Sequence, residues 1–388
     1  MSSKQPHRLS LVARHAHQVG GLEKQLRRIA RAFTNKGLTV DLVTAAGPFI
    51  DSIHANVNHY ALACSSRGRY RSLRALDRAS HRWHTAHPRS IVFGIDRITH
   101  ATHLRVGNGV HRAYLQQESL YRPVIGKWKG RCSLYCRALL DLEKISLTHP
   151  ALRLIIANSE MVKRELTSFY PTLRAPIQVI HNGVEWHELA PAFSSWQEKK
   201  KALCQQWNLD PSHYHFLFVG HGFRRKGLSQ LLQAFALLKE SPCHLSIVGK
   251  DRRLTHFQRE SRRLGIAHRV KFFDAQPDTV PFYALSDCLV IPSLYDPFAN
   301  VTVEALAMGL YVLSSPFNGG AEILTPANGA LITDLFDVEE FAATLTAALK
   351  RPKTTDSASL TRNTVAHLDF SHQLTTLVEA TLATASGS

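Results

Sequence analysis

The stretch DPFANVTVEALAMG, residues 296–309, carries one acid at Asp296 and a second, Glu304, eight positions on, around an asparagine that can open a helix. Carboxylates accept paired hydroxyls, and the free N–H groups at a helix start, here around Phe298, Ala299, Asn300 and Val301, take up negative charge between them. A ligand with hydroxyls at both ends and a diphosphate in the middle matches that pattern. Upstream, HGFRRKGL at 221–228 sets Arg224, Arg225 and Lys226 between glycines at the entry to a helix. A guanidinium fork and an ammonium beside a helix amino end grip a phosphate pair. Gly20 and Gly21, in QVGG at 18–21, let backbone amides approach a phosphate or sugar closely. Each feature has a plainer reading: a solvated basic turn for the cations, a cap on the following turn for Asp296, and a tight turn for the glycine pair, which lacks the spacing of a dinucleotide fingerprint or P-loop.

These residues need elements to hold them. FLFVG (216–220), LSIVG (245–249), VKFFD (270–274), CLVIP (288–292) and YVLSS (311–315) are strand-sized apolar runs. Amphipathic stretches such as LSQLLQAFALLKE (228–240) and FQRESRRLG (257–265) alternate with them, which predicts an α/β parallel sheet covered by helices on both faces. The first half repeats the rhythm less regularly through LSLVA (9–13), VDLVT (40–44), SIVFGID (90–96), LIIANS (154–159) and IQVIHNG (177–183). The polar segment 196–214 is expected to join a linker to the first helix of the second domain. Doubly wound sheets bind ligands outside the carboxyl ends of their strands, and the Arg225–Lys226 and Asp296 loops both follow strands. Asn300 is expected to cap the helix that carries Glu304, with Gly309 ending it.

A chain of 388 residues suits two domains rather than one core. It has 44% hydrophobic and 20% charged residues and no apolar run of spanning length, and the apolar run at 9–13 is too short for a signal peptide. A cytoplasmic location is the expectation. The six cysteines are scattered, so reduced thiols are expected; Cys132 and Cys136, a helical turn apart, read as core packing, with metal binding the alternative, since no histidine lies beside them in the sequence. Charge is one-sided: residues 1–190 hold 28 Lys and Arg against 12 Asp and Glu, the remainder 19 against 18. The first half is therefore expected to meet a large acidic partner.

With FVGHGFRRKG, QVGG, VIHNGVE before the linker and NGGAEIL at 318–324, the 296–309 stretch resembles the acid-x7-acid motif of retaining family 4 glycosyltransferases, and the likeness runs over most of the chain. The wording GFRRKG and the basic first half look most like the bacterial lipopolysaccharide core glucosyltransferases. The resemblance implies a GT-B fold of two Rossmann-like domains facing across a cleft. Residues 1–190 would bind the acceptor, residues 191–366 the nucleotide sugar, and a helix at about 367–388 would pack back on the first domain. Arg225 and Lys226 would hold the donor diphosphate, Asp296 the donor-sugar hydroxyls, Glu304 the ribose, and the backbone of Phe298, Ala299 and Asn300 the phosphates, with Gly20 and Gly21 closing over them. His111, in RVGNGVH, matches the family histidine near the reacting sugar; a surface or core histidine is the alternative in a chain with 22 of them. The first acid of the family motif is usually Glu, so Asp296 puts the donor preference in question.

The implied reaction is retaining hexosyl transfer, independent of metal and of any cofactor, from a nucleotide sugar, UDP-glucose first among them. Its acceptor would be an acidic lipid-linked glycan at the inner face of the cytoplasmic membrane. That anionic surface fits the basic half, and Lys127, Trp128, Lys129 and Arg131 have an interfacial composition. Another family 4 transferase, acting on capsule, O-antigen or glycolipid with a mannosyl, heptosyl or rhamnosyl donor, is the nearer alternative. A nucleic-acid-binding protein is the distant one; it leaves the paired acids and the near-neutral second half without a use, so no nucleic acid is expected as partner.

Overall fold

The computed structural model describes residues 8–14, 21–45, 56–62, 64, 69–121, 134–239 and 241–385. The chain divides into two compact units, Met1–His181 with Ser371–Ser388, and Asn182–Phe370.

The first unit is built on β1 (Arg8–Ala13), β2 (Thr39–Thr44), β3 (Val57–Ala61), β4 (Val92–Gly94), β5 (His103–Val106), β6 (Leu154–Ala157) and β7 (Ile177–Val179). They form one sheet in the order β3-β2-β1-β4-β5-β6-β7, every pair parallel. Helices α1 (Gly21–Asn35), α2 (Arg69–Ala86), α3 (His111–Tyr121), α4 (Leu134–Thr148) and α5 (Glu160–Phe169) connect them. Parallel pairing needs crossover helices, which cover both faces and favour apolar residues along the strands. The core joins Leu9 and Leu11 of β1, Phe93 of β4 and Ile29 and Phe33 of α1 to Leu377 and Val378 of the last helix, Phe370–Ala385.

The second unit pairs β8 (Tyr214–Val219), β9 (Cys243–Val248), β10 (Val270–Phe273), β11 (Cys288–Ile291), β12 (Tyr311–Ser314) and β13 (Gly329–Leu331) in the order β10-β9-β8-β11-β12-β13, again all parallel. Its helices include α6 (Ala190–Ser194), α7 (Trp196–Trp207), α8 (Leu228–Ala236), α9 (Leu254–Arg263), α10 (Val280–Leu285), α11 (Asn300–Ala307), α12 (Val338–Leu349) and α13 (Thr355–Asn363). Strand order reverses between β8 and β11, the point at which doubly wound sheets open a crevice.

Two sequence expectations move. The units divide at 181/182, ahead of 190/191, because Val184 is buried and pairs with the far end of the second unit: its N–H donates to Leu368 O at 2.9 Å and its carbonyl accepts from Phe370 N at 3.0 Å. The polar stretch from 196 is α7, inside the second unit, with the buried Trp196 ring under Lys353 Nζ at 4.4 Å. Strands β3 (VNHYA), β5 (HLRV) and β13 (GAL) have no continuous apolar run, and so were not legible as strands.

Candidate active site

The loops after β8 and β11 meet at the reversal point of the second sheet. Gly227, at φ +76°, makes the approach possible: a Cβ there would sit 1.8 Å from Pro292 O. Leu294 N then donates to Arg225 O at 2.8 Å, lacing the two loops together. Lys226, 8% exposed, donates from Nζ to Asp296 Oδ2 at 2.7 Å, and Arg225 Nη1 reaches the same oxygen at 3.2 Å and Tyr295 O at 2.8 Å. Burial pushes the Asp296 carboxyl up, but the Lys226 and Arg225 charges and their hydrogen bonds more than offset it, so it stays below the usual carboxylate range. Sequence reasoning assigned the two cations to the diphosphate and Asp296 to the sugar; here the three form one ion cluster, with Lys226 and Asp296 buried and Arg225 partly exposed. The carboxylate goes to cations and not to the backbone of the following turn, so Asp296 is not a cap.

Asn300 does not cap α11 either. It is the first helical residue, and Ala299 occupies the cap position without a side-chain bond. Asn318 supplies the cap from the NGGAEIL turn: its Oδ1 accepts from Ala299 N at 2.9 Å and Gly320 N at 3.1 Å, and its Nδ2 donates to Thr302 Oγ1 at 3.2 Å and Ser314 Oγ at 2.9 Å. The Asn300 side chain instead accepts from Asn182 Nδ2 at 2.6 Å. The amides of Asn300 and Val301 lie at the first two helical positions, where no intrahelical acceptor exists, so the amino end of α11 can receive an anion. Phe298 and Ala299 are buried in the same turn. One turn inside α11, Glu304 accepts from Tyr283 Oη at 2.6 Å. Burial, then the Glu304 charge, hold the Tyr283 phenol well above its ordinary range, so it remains a donor.

His111 opens α3 of the first unit, half-buried, its Nε2 3.8 Å from Cys136 Sγ and its ring stacked on Tyr114 at 5.8 Å between centroids. Burial, then Arg97, lower its pKa against the opposing pull of Glu143 and Glu118. A histidine thus lies beside Cys136 after all, brought there by tertiary packing. Gly21 is the first residue of α1. Gly20, Lys127, Trp128, Lys129, Arg131 and Cys132 lie outside the described residues. Among the described residues no three His, Cys, Asp or Glu side chains are placed to hold a metal ion, and no helix is long and apolar enough to cross a membrane.

The family model for glycosyl transferases group 1 matches residues 199–363, and that for Glycosyltransferase Family 4 matches residues 19–187. The chain belongs to the family 4 glycosyltransferases. It is 26% identical over 79% of its length to an uncharacterized glycosyltransferase of Methanocaldococcus jannaschii, covering 79% of that protein. It is 30% identical to the lipopolysaccharide glucosyltransferase WaaG of Escherichia coli over 46% of this chain and 48% of WaaG. It is also 32% identical to the lipopolysaccharide core biosynthesis glycosyltransferase LpsE of Rhizobium meliloti, over 32% of this chain and 36% of LpsE. The chain thus matches about half of WaaG and about a third of LpsE in sequence. In structure, crystalline WaaG superposes with a TM-score of 0.77 over 98% of this chain and 100% of WaaG at 20% identity. The Anabaena protein HepE, solved with UDP and glucose, gives 0.70 over 97% and 99% at 18%. The fold of this glycosyltransferase is GT-B, and the enzyme is related to the lipopolysaccharide core glucosyltransferases.

Sequence reasoning missed Asn318, Tyr283 and Asn182 as parts of this transferase's site. NGGAEIL and VIHNGVE were visible as motifs, but the partners that tie them to α11 are distant, Thr302 lying 16 positions from Asn318 and Asn300 118 from Asn182. Tyr283 sits in an apolar helix, α10, and carried no signal.

Proposed function

We propose that this glycosyltransferase moves a hexosyl group, glucose first among the candidates, from a UDP-sugar to a lipopolysaccharide core or similar acidic lipid-linked acceptor, with retention and without a metal. The observation that carries the reading is the Arg225–Lys226–Asp296 cluster beside the amino end of α11. Both cations converge on Oδ2 of Asp296, and none of the hydrogen bonds goes to Oδ1, which can accept from a donor-sugar hydroxyl. The cations are fixed before any ligand arrives. Donors held in place where charge develops stabilise a transition state without reorganising, and a departing diphosphate develops negative charge between Arg225, Lys226 and the first amides of α11. Glu304, oriented by Tyr283, accepts the paired ribose hydroxyls. In a same-face reaction the bond from the anomeric carbon to the phosphate oxygen breaks and the bond to the acceptor oxygen forms. The acceptor proton passes to the leaving phosphate. His111 would stand near the reacting sugar.

WaaG and LpsE support the acceptor class, and the HepE complex supports the donor. The one-sided charge of residues 1–190 supports an acidic acceptor at an anionic membrane surface, with the protein peripheral on its inner face. A mannosyl, heptosyl or rhamnosyl donor is the second reading, favoured by the shorter acid at Asp296.

The test is a melting-temperature panel with UDP-glucose, UDP-galactose, GDP-mannose, an ADP-heptose and the free diphosphates. A ligand at about 100 times its Kd adds about 2.7 kcal/mol to the native state. A rise confined to uridine compounds, and lost in Asp296→Ala or Lys226→Met, is expected. A rise with guanosine or adenosine compounds alone selects the second reading, and no rise with any of them overturns both.

A further inference from the structure

The buried carboxylate of Glu143, in α4 of the first unit, has a use that the donor site does not explain. It is 2% exposed and accepts from four directions. Oε2 takes His111 N at 2.7 Å and Arg97 Nε at 3.0 Å; Oε1 takes Arg112 N at 3.2 Å and Tyr170 Oη at 2.8 Å. Arg97, in the β4–β5 connection, also donates from Nη2 to Gly109 O at 2.7 Å. The pair therefore brackets one turn. Its guanidinium holds the carbonyl at Gly109, and its carboxylate holds the amides of the first two residues of α3, which has no acidic residue of its own in that turn. Two turns earlier on α4, Cys136 Sγ stands 3.8 Å from His111 Nε2. One helix thus fixes His111 at its backbone and touches it at its ring.

We propose that Glu143 is a positioning residue for His111, acting with Arg97 to fix the turn from which that imidazole projects. A capping carboxylate normally comes from the helix itself; supplying it from α4 ties the imidazole to the sheet through Arg97 and to α5 through Tyr170, which directly follows that helix. A bracket with every acceptor site filled has little room to relax, the condition for holding a reacting group to a fraction of an ångström. The inference rests on the reading of His111 as the histidine near the reacting sugar.

The experiment is a double-mutant cycle, with turnover of the nucleotide sugar that the melting panel selects as readout. Glu143→Gln is expected to lower kcat by about 10- to 100-fold, the scale of a misplacement of about 1 Å, with KM for the nucleotide sugar within about twofold. In a His111→Ala background, itself strongly impaired, the same substitution is expected to cost less than about twofold more, because the group it positions is gone. An equal fold-loss in both backgrounds, or a loss that lies in KM, overturns the proposal while leaving His111 in place. Full activity of His111→Ala removes the His111 reading and this inference with it. If Glu143→Gln does not fold, Tyr170→Phe removes one donor from the same carboxylate and is expected to show the same non-additivity on a smaller scale. The His111 imidazole, followed by NMR against a His111→Ala reference, supplies a second readout. It faces Arg97 from the β4–β5 connection, Glu143 and Cys136 from α4, and Glu118 and Tyr114 on its own helix. Loss of the Glu143 charge leaves burial and Arg97 opposed only by Glu118, so its titration is expected to move to lower pH in Glu143→Gln; an unmoved titration counts against the bracket.

Discussion

Lys226→Met tests whether the ion cluster is a real constraint on the second unit. The substitution keeps an apolar stem and removes the ammonium. Both side chains of the pair are 11% exposed, and stranding one member of a buried pair costs about 3–5 kcal/mol. Arg225 still reaches Asp296 at 3.2 Å, although its own side chain is 40% exposed, so the lower end applies, about 3 kcal/mol at pH 7. That corresponds to about 6–12 °C in melting temperature for a unit of this size. The pH dependence has a definite sign. In the parent, the folded carboxyl is depressed, so its contribution is fully present above the unfolded value of about 3.9 and is lost as pH falls through the folded value. Between pH 7 and 5 this group leaves the parent flat. In Lys226→Met burial is opposed by Arg225 alone and the carboxyl rises, so acidification costs the variant less than it costs the parent and the deficit shrinks as pH falls. Calorimetry and guanidinium denaturation of the parent, Lys226→Met, Asp296→Asn and the double variant at both pH values measure this. The double variant, which removes both charges of the Lys226–Asp296 pair and leaves only the partly exposed Arg225, is expected to recover at least half of the loss. Additive energies together with a pH profile parallel to the parent would show that the two groups do not pair, and the account of fixed cations would fall.

Tyr283→Phe removes the 2.6 Å donor to Glu304 and is expected to cost about 1.5–3 kcal/mol of stability and to weaken nucleoside diphosphate binding; an unchanged Kd by calorimetry counts against Glu304 as the ribose ligand. Gly227→Ala is expected to destabilise the second unit well beyond the about 1–2 kcal/mol of a left-handed alanine, since its Cβ meets Pro292 O. Gly265→Ala, at φ +74° with nothing within 4 Å, is expected to show that backbone cost alone in denaturation midpoints, and equal losses at the two positions would refute the close approach. Neutralising Lys127, Lys129 and Arg131 together is expected to reduce sedimentation with anionic vesicles, as is raising salt; binding indifferent to both argues against an anionic membrane surface as partner.

The strands with uninterrupted apolar runs were legible because a parallel strand buried on both faces favours apolar residues along its length. Strands β3, β5 and β13 escaped because VNHYA and HLRV interleave polar residues with apolar ones and GAL offers only two apolar residues. Arg225, Lys226, Asp296 and Glu304 were visible as residues that follow strands or open helices. Their partners were not: the pairing of Lys226 with Asp296 spans 70 positions, and that of Glu143 with His111 spans 32.

By itself, then, the sequence determined local matters: the α/β alternation, the places where loops leave strands, the glycines that permit tight entry to α8, and the one-sided charge. Each depends on neighbouring residues or on composition, so no long-range geometry is needed to read it. Tertiary structure alone decided which side chains meet. It replaced Asn300 with Asn318 as the cap of α11, set Cys136 beside His111, and moved the division between units to 181/182. The physical reason is that a buried amide, carboxylate or ammonium is satisfied by whatever group folding delivers to it. In a doubly wound sheet that group comes from a different crossover, tens of residues away.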